Sequence, residues 1–199
     1  MSPAEHPDAR HRLLDTAEHL FASRGFDSVR MRDIAEDLGL THAALYYHFP
    51  GGKEELFAEV MERNIRRHGE GLAAAMRAGG QSLRGKLRGA ASWLLSQPPM
   101  DLIRMAENDL KNLPPEKAGR IMGLVYELIL SRLQAVLQAA KDSGETGACD
   151  PGLLAGGVVG LVESLHSVPV DIVGRDRTTM AYELIDVLLK GIEYKGGMT

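Results

Sequence analysis

The chain has 199 residues, 44% of them hydrophobic, and a formal net charge of −4. Those values exclude a disordered tail, a fibre and a nonspecific basic nucleic-acid coat, whose surface would carry a positive excess. A single cysteine, Cys149, forms no internal disulfide and fits no metal-ligand spacing, which suits a reducing cytoplasm.

The first residues are polar and carry Pro3 and Pro7, unlike a signal peptide. Residues 10–22 then place Leu13, Leu14, Ala17, Leu20 and Phe21 on one helical face, and Gly25 supplies a stop. A second helix from about Met31 to Leu38 buries Met31, Ile34, Ala35 and Leu38. Gly39 permits a sharp turn, and Leu40 is expected to insert into the small core. Thr41 is an N-cap for a third helix ending near Phe49, with Leu40 and Leu45 spaced as a hydrophobic staple. Pro50-Gly51-Gly52 breaks the chain, and Lys53-Glu54-Glu55-Leu56 restarts it as a long helix to about Met76, with acids where the helix dipole favours them.

Helical patterning continues over residues 82–96, Met100–Leu110, Pro115–Ala140, 151–167 and 176–190, with a loop at Asp142–Asp150. The most apolar stretch, Leu153–Val162, is about half the roughly 20 residues needed to cross a bilayer, so no membrane is expected. No alternating strand pattern appears. The expected fold is all-α: a three-helix head with a helix-turn-helix, residues 1–52, and a larger helical body, residues 53–199.

A helix enters the major groove with a slim outer face and a locked inner one. In the third helix Leu45, Phe49 and Ala44 point inward, leaving His42, Ala43 and Tyr47 as groove-facing candidates. Ala43 permits close approach to a thymine methyl, and His42 and Tyr47 can hydrogen-bond or stack. Tyr46 and Lys53 suit phosphate oxygens and carry little base information. The alternatives are that Tyr46 is a packing aromatic, His42 an idle surface residue and His48 structural. Residues 1–68 carry nine Lys/Arg against twelve Asp/Glu, so DNA binding must rest on few contacts, doubled by symmetry.

The segments LLDTAEHLFASRGFDSV, MRDIAEDLGLT and ALYYHFPGGKEELF, in that order and spacing, resemble the N-terminal domain of the TetR family of bacterial transcriptional repressors. The resemblance spans residues 10–68, and LYYHF…K is its specific part. It implies a cytoplasmic homodimer that represses from a palindromic operator and is released by a small effector. It matches the family's phosphate-contacting tyrosine and lysine to Tyr46 and Lys53, and its recognition helix to Thr41–Phe49. Where the family carries a capping Ser or Thr before its second helix, this chain has Arg30, which cannot cap through an oxygen but can donate to phosphate. The Ser or Asn common before the family's lysine is Gly52 here.

In the body, LLAGGVVGLVESL at 153–165 is apolar over most of its surface and must be covered on several sides. Leu153, Gly156, Gly157, Gly160 and Leu161 here, with Met180, Leu184 and Leu188 on the last helix, are the candidate dimer surface; internal core is the alternative. Candidate pocket residues are Trp93, Met100, Ile103, Met105, Met122, Val125, Tyr126 and Ile129, which plain core packing also explains. Glu107, Asp109 and Glu127 can make the pocket prefer a cationic amphipathic effector over a purely apolar one, and ordinary exposed carboxylates are the alternative. No nucleophile elbow, phosphate loop or zinc motif is present, and Glu163 with His166 lacks further ligands, so neither catalysis, a cofactor nor a metal is expected. A regulator of the same fold without an effector, acting constitutively, as an activator or through a protein partner, is the alternative function.

Overall fold

The computed structural model describes residues 7–99, 105–147 and 149–192. Its contacts group it into two units, Met1–Asn64 with Leu102–Gly123 and Ile65–Asp101 with Leu124–Thr199. Among the described residues helices dominate and no β-strand forms, as the patterning predicts.

In the first unit, α1 (Pro7–Ser28) buries Leu13, Leu14, Ala17, Leu20 and Phe21. Gly25 leaves helical geometry at φ 74°, ψ 167°, so the break falls where the glycine predicts it and Phe26–Ser28 add a turn beyond it. Phe21, Phe26 and Phe57 then meet as a cluster, Phe57 lying edge-on to both partners at centroid distances of 5.0 and 4.9 Å. Such edge-to-face pairs add to simple burial. Next come α2 (Met31–Asp37) and α3 (His42–His48), followed by α4 (Gly52–Ala78), whose residues to Asn64 belong to this unit.

The turn between α2 and α3 corrects one expectation. Gly39 adopts φ +63°, and the Leu40 N–H returns to the Ala35 carbonyl at 2.9 Å. This left-handed closure holds Leu40 outward, so it is exposed and does not insert; of the staple pair Leu40 and Leu45 only Leu45 is buried. Leu38, at the cap, is half-buried and not part of the core.

Ion pairs organise the acid-rich surface of this unit. Arg10 pairs with Glu59, Arg63 with Asp15 and Glu18, and Arg120 with Glu62. Four carboxylates of α1 and α4, Asp15, Glu18, Glu59 and Glu62, are matched in this way.

In the second unit the end of α4 packs on α5 (Leu83–Ser96) through glycines. A Cβ built at Gly89 would lie 2.3 Å from the Ala75 carbonyl oxygen, one at Gly85 2.0 Å from that of Gly79, and one at Gly71 1.9 Å from the Trp93 ring. Bare Cα positions are what allow these two backbones to approach.

Helix α6 (Pro115–Asp142) contains a π-helical turn at Tyr126–Leu130. By length and composition it could cross a bilayer, although no single unbroken apolar run announces it. Its core positions Ile121, Val125, Ile129, Leu133 and Leu137 repeat every four residues and are buried. Charged residues such as Arg120, Glu127, Arg132 and Lys141 occupy other positions, the pattern of a helix packed on protein. Before α6, the expected helix at Met100–Leu110 falls partly outside the described residues. From Met105 it is a π-helical turn to Asp109 and then a 3-10 turn, Leu110–Asn112.

Asp150 caps α7 (Pro151–Ser164) by accepting from the N–H groups of Gly152 and Leu153 at 2.8 and 3.1 Å. A 3-10 turn (Leu165–Ser167) and the short α8 (Val170–Val173), which the sequence pattern does not predict, lead to α9 (Arg177–Ile192). Arg84 and Arg88 on α5 both reach Asp186 on α9, and Ser92 and Tyr182 share a hydrogen bond of 2.7 Å.

Candidate nucleic-acid interface

The candidate interface is built on α3. The Thr41 side chain accepts from the Ala44 N–H at 3.2 Å and fixes the helix start. Leu45 and Phe49 are fully buried and lock the inner face, while Ala44 is half-buried. On the outer face Thr41, His42, Ala43, Tyr46 and Tyr47 are exposed, Tyr47 at 65%. The four-residue step places the His42 ring 4.7 Å from that of Tyr46, and Tyr47 meets half-buried His48 edge-on at 5.5 Å. Residues 38–53 contain no Asp or Glu, so the helix and both of its flanks are free of acid in a chain that is acidic overall.

Arg30 is exposed at the start of α2, and its own side chain makes no cap. The missing cap is supplied from the other side, because the Asp33 carboxylate accepts from the Arg30 N–H at 3.0 Å. Gly52 also has a positive role. It sits at φ +70°, and its N–H closes the turn onto the Phe49 carbonyl at 2.9 Å. Glu55 reaches back to accept from the Gly51 N–H at 2.7 Å. Neither helix start is left uncapped.

Lys53 is half-buried. Its Nζ donates to the Phe26 carbonyl at 2.9 Å and lies 4.1 Å from the centre of the Phe26 ring. A phosphate would have to draw the ammonium away from that seat. The N–H of Phe26 donates to Asp109 at 3.2 Å, and Asp109 is buried. Asp109 is therefore a support of the head's own core and not a pocket acid. Sequence reasoning misses this role because 83 residues separate the partners and no local pattern marks them. Glu107 and Glu127 are exposed, which removes the basis for expecting a cation-selective pocket.

The candidate pocket residues divide between the units. Met105, buried, and Met122, exposed, lie in the first; Trp93, Val125, Tyr126 and Ile129 lie in the second. Met100 and Ile103 lie outside the described residues. Trp93 packs on Gly71, Val125 and Ile129 are core, and Tyr126 is 56% exposed with its hydroxyl 3.3 Å from Gln134 Oε1. The second unit instead holds an open groove of 640 Å³ between α4, α5 and α6, lined in part by Met76, Arg77, Lys86 and Arg132.

Of the candidate dimer residues, Leu153 is 75% exposed, and Gly156, Gly157, Gly160 and Leu161 are exposed on the same helix. Cβ atoms at the three glycines would meet nothing within 4 Å. Met180, Leu184 and Leu188 are half-buried on α9, beside Val187 at 69% exposure. Among the described residues no group of three ligating side chains gathers around Glu163 and His166. Burial lowers the His166 pKa, with contact to the Leu94 carbonyl opposing that shift.

Residues 13–60 match the family model described as bacterial regulatory proteins, tetR family. Over residues 13–60 the chain is similar to the TetR family's N-terminal domain. The transcriptional repressor KstR2 of Mycolicibacterium smegmatis is 37% identical over 60 residues, 30% of this chain and 29% of that protein. The chain thus spans about three tenths of the length of the curated relatives it matches first. The TetR-family regulator PfmR of Thermus thermophilus superposes at TM-score 0.69 with 25% identity, over 93% of this chain and 97% of that one. AibR, solved with isovaleryl coenzyme A and operator DNA, superposes at TM-score 0.71 with 21% identity, over 92% and 97%. These full-length likenesses establish the all-α TetR fold, and the family and the relatives named are regulators, not enzymes.

Proposed function

We propose that the chain is a cytoplasmic, homodimeric, sequence-specific DNA-binding repressor, released from a palindromic operator by a small amphipathic effector. The observation that carries it is α3: an acid-free helix presenting His42, Ala43, Tyr46 and Tyr47 outward from a buried inner face. In this reading Tyr46, Lys53 and Arg30 hold phosphates, while His42, Ala43 and Tyr47 meet base edges. Residues 1–52 carry the DNA-binding function, and residues 53–199 carry dimerisation and effector binding.

The exposed glycine and leucine face of α7, with Met180, Leu184 and Leu188 on α9, forms the dimer surface. Two copies would place two reading helices on a two-fold axis, which compensates for the few contacts each acidic head can make. Repression is the sign named for KstR2; an operator lying upstream of a promoter would give activation by the same contacts.

Selection of bound duplexes from a random pool by the full-length chain tests this reading. Enrichment of two inverted half-sites whose centres lie about 10 base pairs, or a multiple of that, apart, bound by two chains, is expected. Failure to enrich any sequence would overturn it.

A further inference from the structure

The groove between α4, α5 and α6 has a chemistry that no local sequence pattern announces. Its walls carry Arg77, Lys86 and Arg132 against one acid, Glu70, and its apolar lining includes Met76 and Val136. Among the described residues no carboxylate lies within ion-pair distance of Arg77 or Lys86, although other arginines of this unit, such as Arg84 and Arg88, are matched to acids. Arg132 donates to the backbone carbonyl of Gly69, in α4. A volume of 640 Å³ lies within the range of small-molecule sites.

We infer that this groove binds an amphipathic anion: an acyl or alkyl body on the apolar lining, with a carboxylate or phosphate head between Arg77, Lys86 and Arg132. A neutral lipophile would bury three cationic stems without using their charge. A cationic amphiphile would be repelled, and an inorganic anion would leave the apolar lining unused. Charge-assisted hydrogen bonds to a guanidinium are the strong kind, and Arg forks suit both head groups.

The site also supplies a difference between two states, which any effector requires. Arg132 can serve the Gly69 carbonyl or the head group, and the anion recruits it from the first to the second. Gly69 and Gly71 lie two apart in α4 and weaken that stretch of helix. A loss of the Arg132 tether therefore acts on the part of α4 least able to resist bending.

The inference rests on the proposed effector-responsive reading, and its test separates the two. Calorimetry on the full-length chain would compare decanoate, decyl phosphate, decanol and decyltrimethylammonium. At least one of the two anions should bind tenfold or more tightly than the alcohol and the ammonium. The double variant Arg77→Gln, Lys86→Gln should weaken that anion at least tenfold and leave decanol unchanged. Equal binding of the cation or the alcohol, or unaltered anion binding by the double variant, would overturn it. The same preparation is assayed for selective DNA binding. Selection of DNA without anion binding rejects the groove and spares the DNA reading; anion binding without selection does the reverse.

Discussion

The Asp109 carboxylate accepts a hydrogen bond from the Phe26 N–H at 3.2 Å, and the carbonyl of the same Phe26 receives the Lys53 ammonium at 2.9 Å. Phe26 follows the break at Gly25, where the chain has left regular helix, so its N–H needs a partner from elsewhere, while its carbonyl also accepts from the Val29 N–H at 3.3 Å. Asp109→Ala would leave a buried N–H without its acceptor, at a cost of about 1–3 kcal/mol. Asp109→Asn keeps an acceptor oxygen and should cost less. Urea unfolding of the two variants checks this order, and equal losses would remove the hydrogen bond as the cause.

In the proposed reading Lys53 has a second use on DNA. Lys53→Ala should weaken binding to all duplexes by a similar factor and lower the salt dependence by roughly one phosphate's worth. Binding isotherms over a range of salt concentrations measure it. An unchanged slope would mean that the ammonium stays on Phe26 when DNA is bound.

Gly89 is a packing requirement. A Cβ there would lie 2.3 Å from the Ala75 carbonyl oxygen, a backbone atom that cannot swing aside. Gly89→Ala should therefore destabilise by about 1–3 kcal/mol, despite alanine's better helix propensity. Thermal unfolding would show the loss, and a more stable variant would mean that α4 and α5 are not held this closely.

Leu153 and Val187 test the dimer. Each exposes a large apolar side chain, Leu153 on a helix where three glycines meet nothing. Leu153→Glu with Val187→Glu should weaken dimerisation by about 100-fold, because charge is poorly tolerated at the centre of an apolar interface. The circular-dichroism spectrum should remain helical. Sedimentation checks the mass, and an unaltered dimer would place the interface elsewhere.

Most of the head is legible in the sequence, because its signals are local. The spacing of Leu13, Ala17 and Leu20, the Thr41 cap and the glycine turns each act within a few residues. The outward set His42, Ala43, Tyr46 and Tyr47 follows from the same periodicity. Three features are not legible, for a common reason. Asp109 serving Phe26, the glycine contacts of α5 with α4 and the cationic groove all depend on residues distant in sequence. Leu40 departs from expectation differently, since its staple spacing is overridden by the left-handed turn at Gly39, which directs the side chain outward. For Glu107 and Glu127 the only signal is charge, and charge does not predict which way a helical residue faces.

Base reading by α3 is tested most directly by comparing sequence preference between two neighbouring tyrosine variants. In duplex selection, Tyr47→Ala should change the preferred bases in each half-site, since Tyr47 is the most exposed aromatic on that face. Tyr46→Phe, which removes a hydroxyl assigned to phosphate, should lower affinity and leave the preferred sequence intact. A Tyr47→Ala protein that selects the wild-type sequence would contradict the assignment of this side chain to the groove.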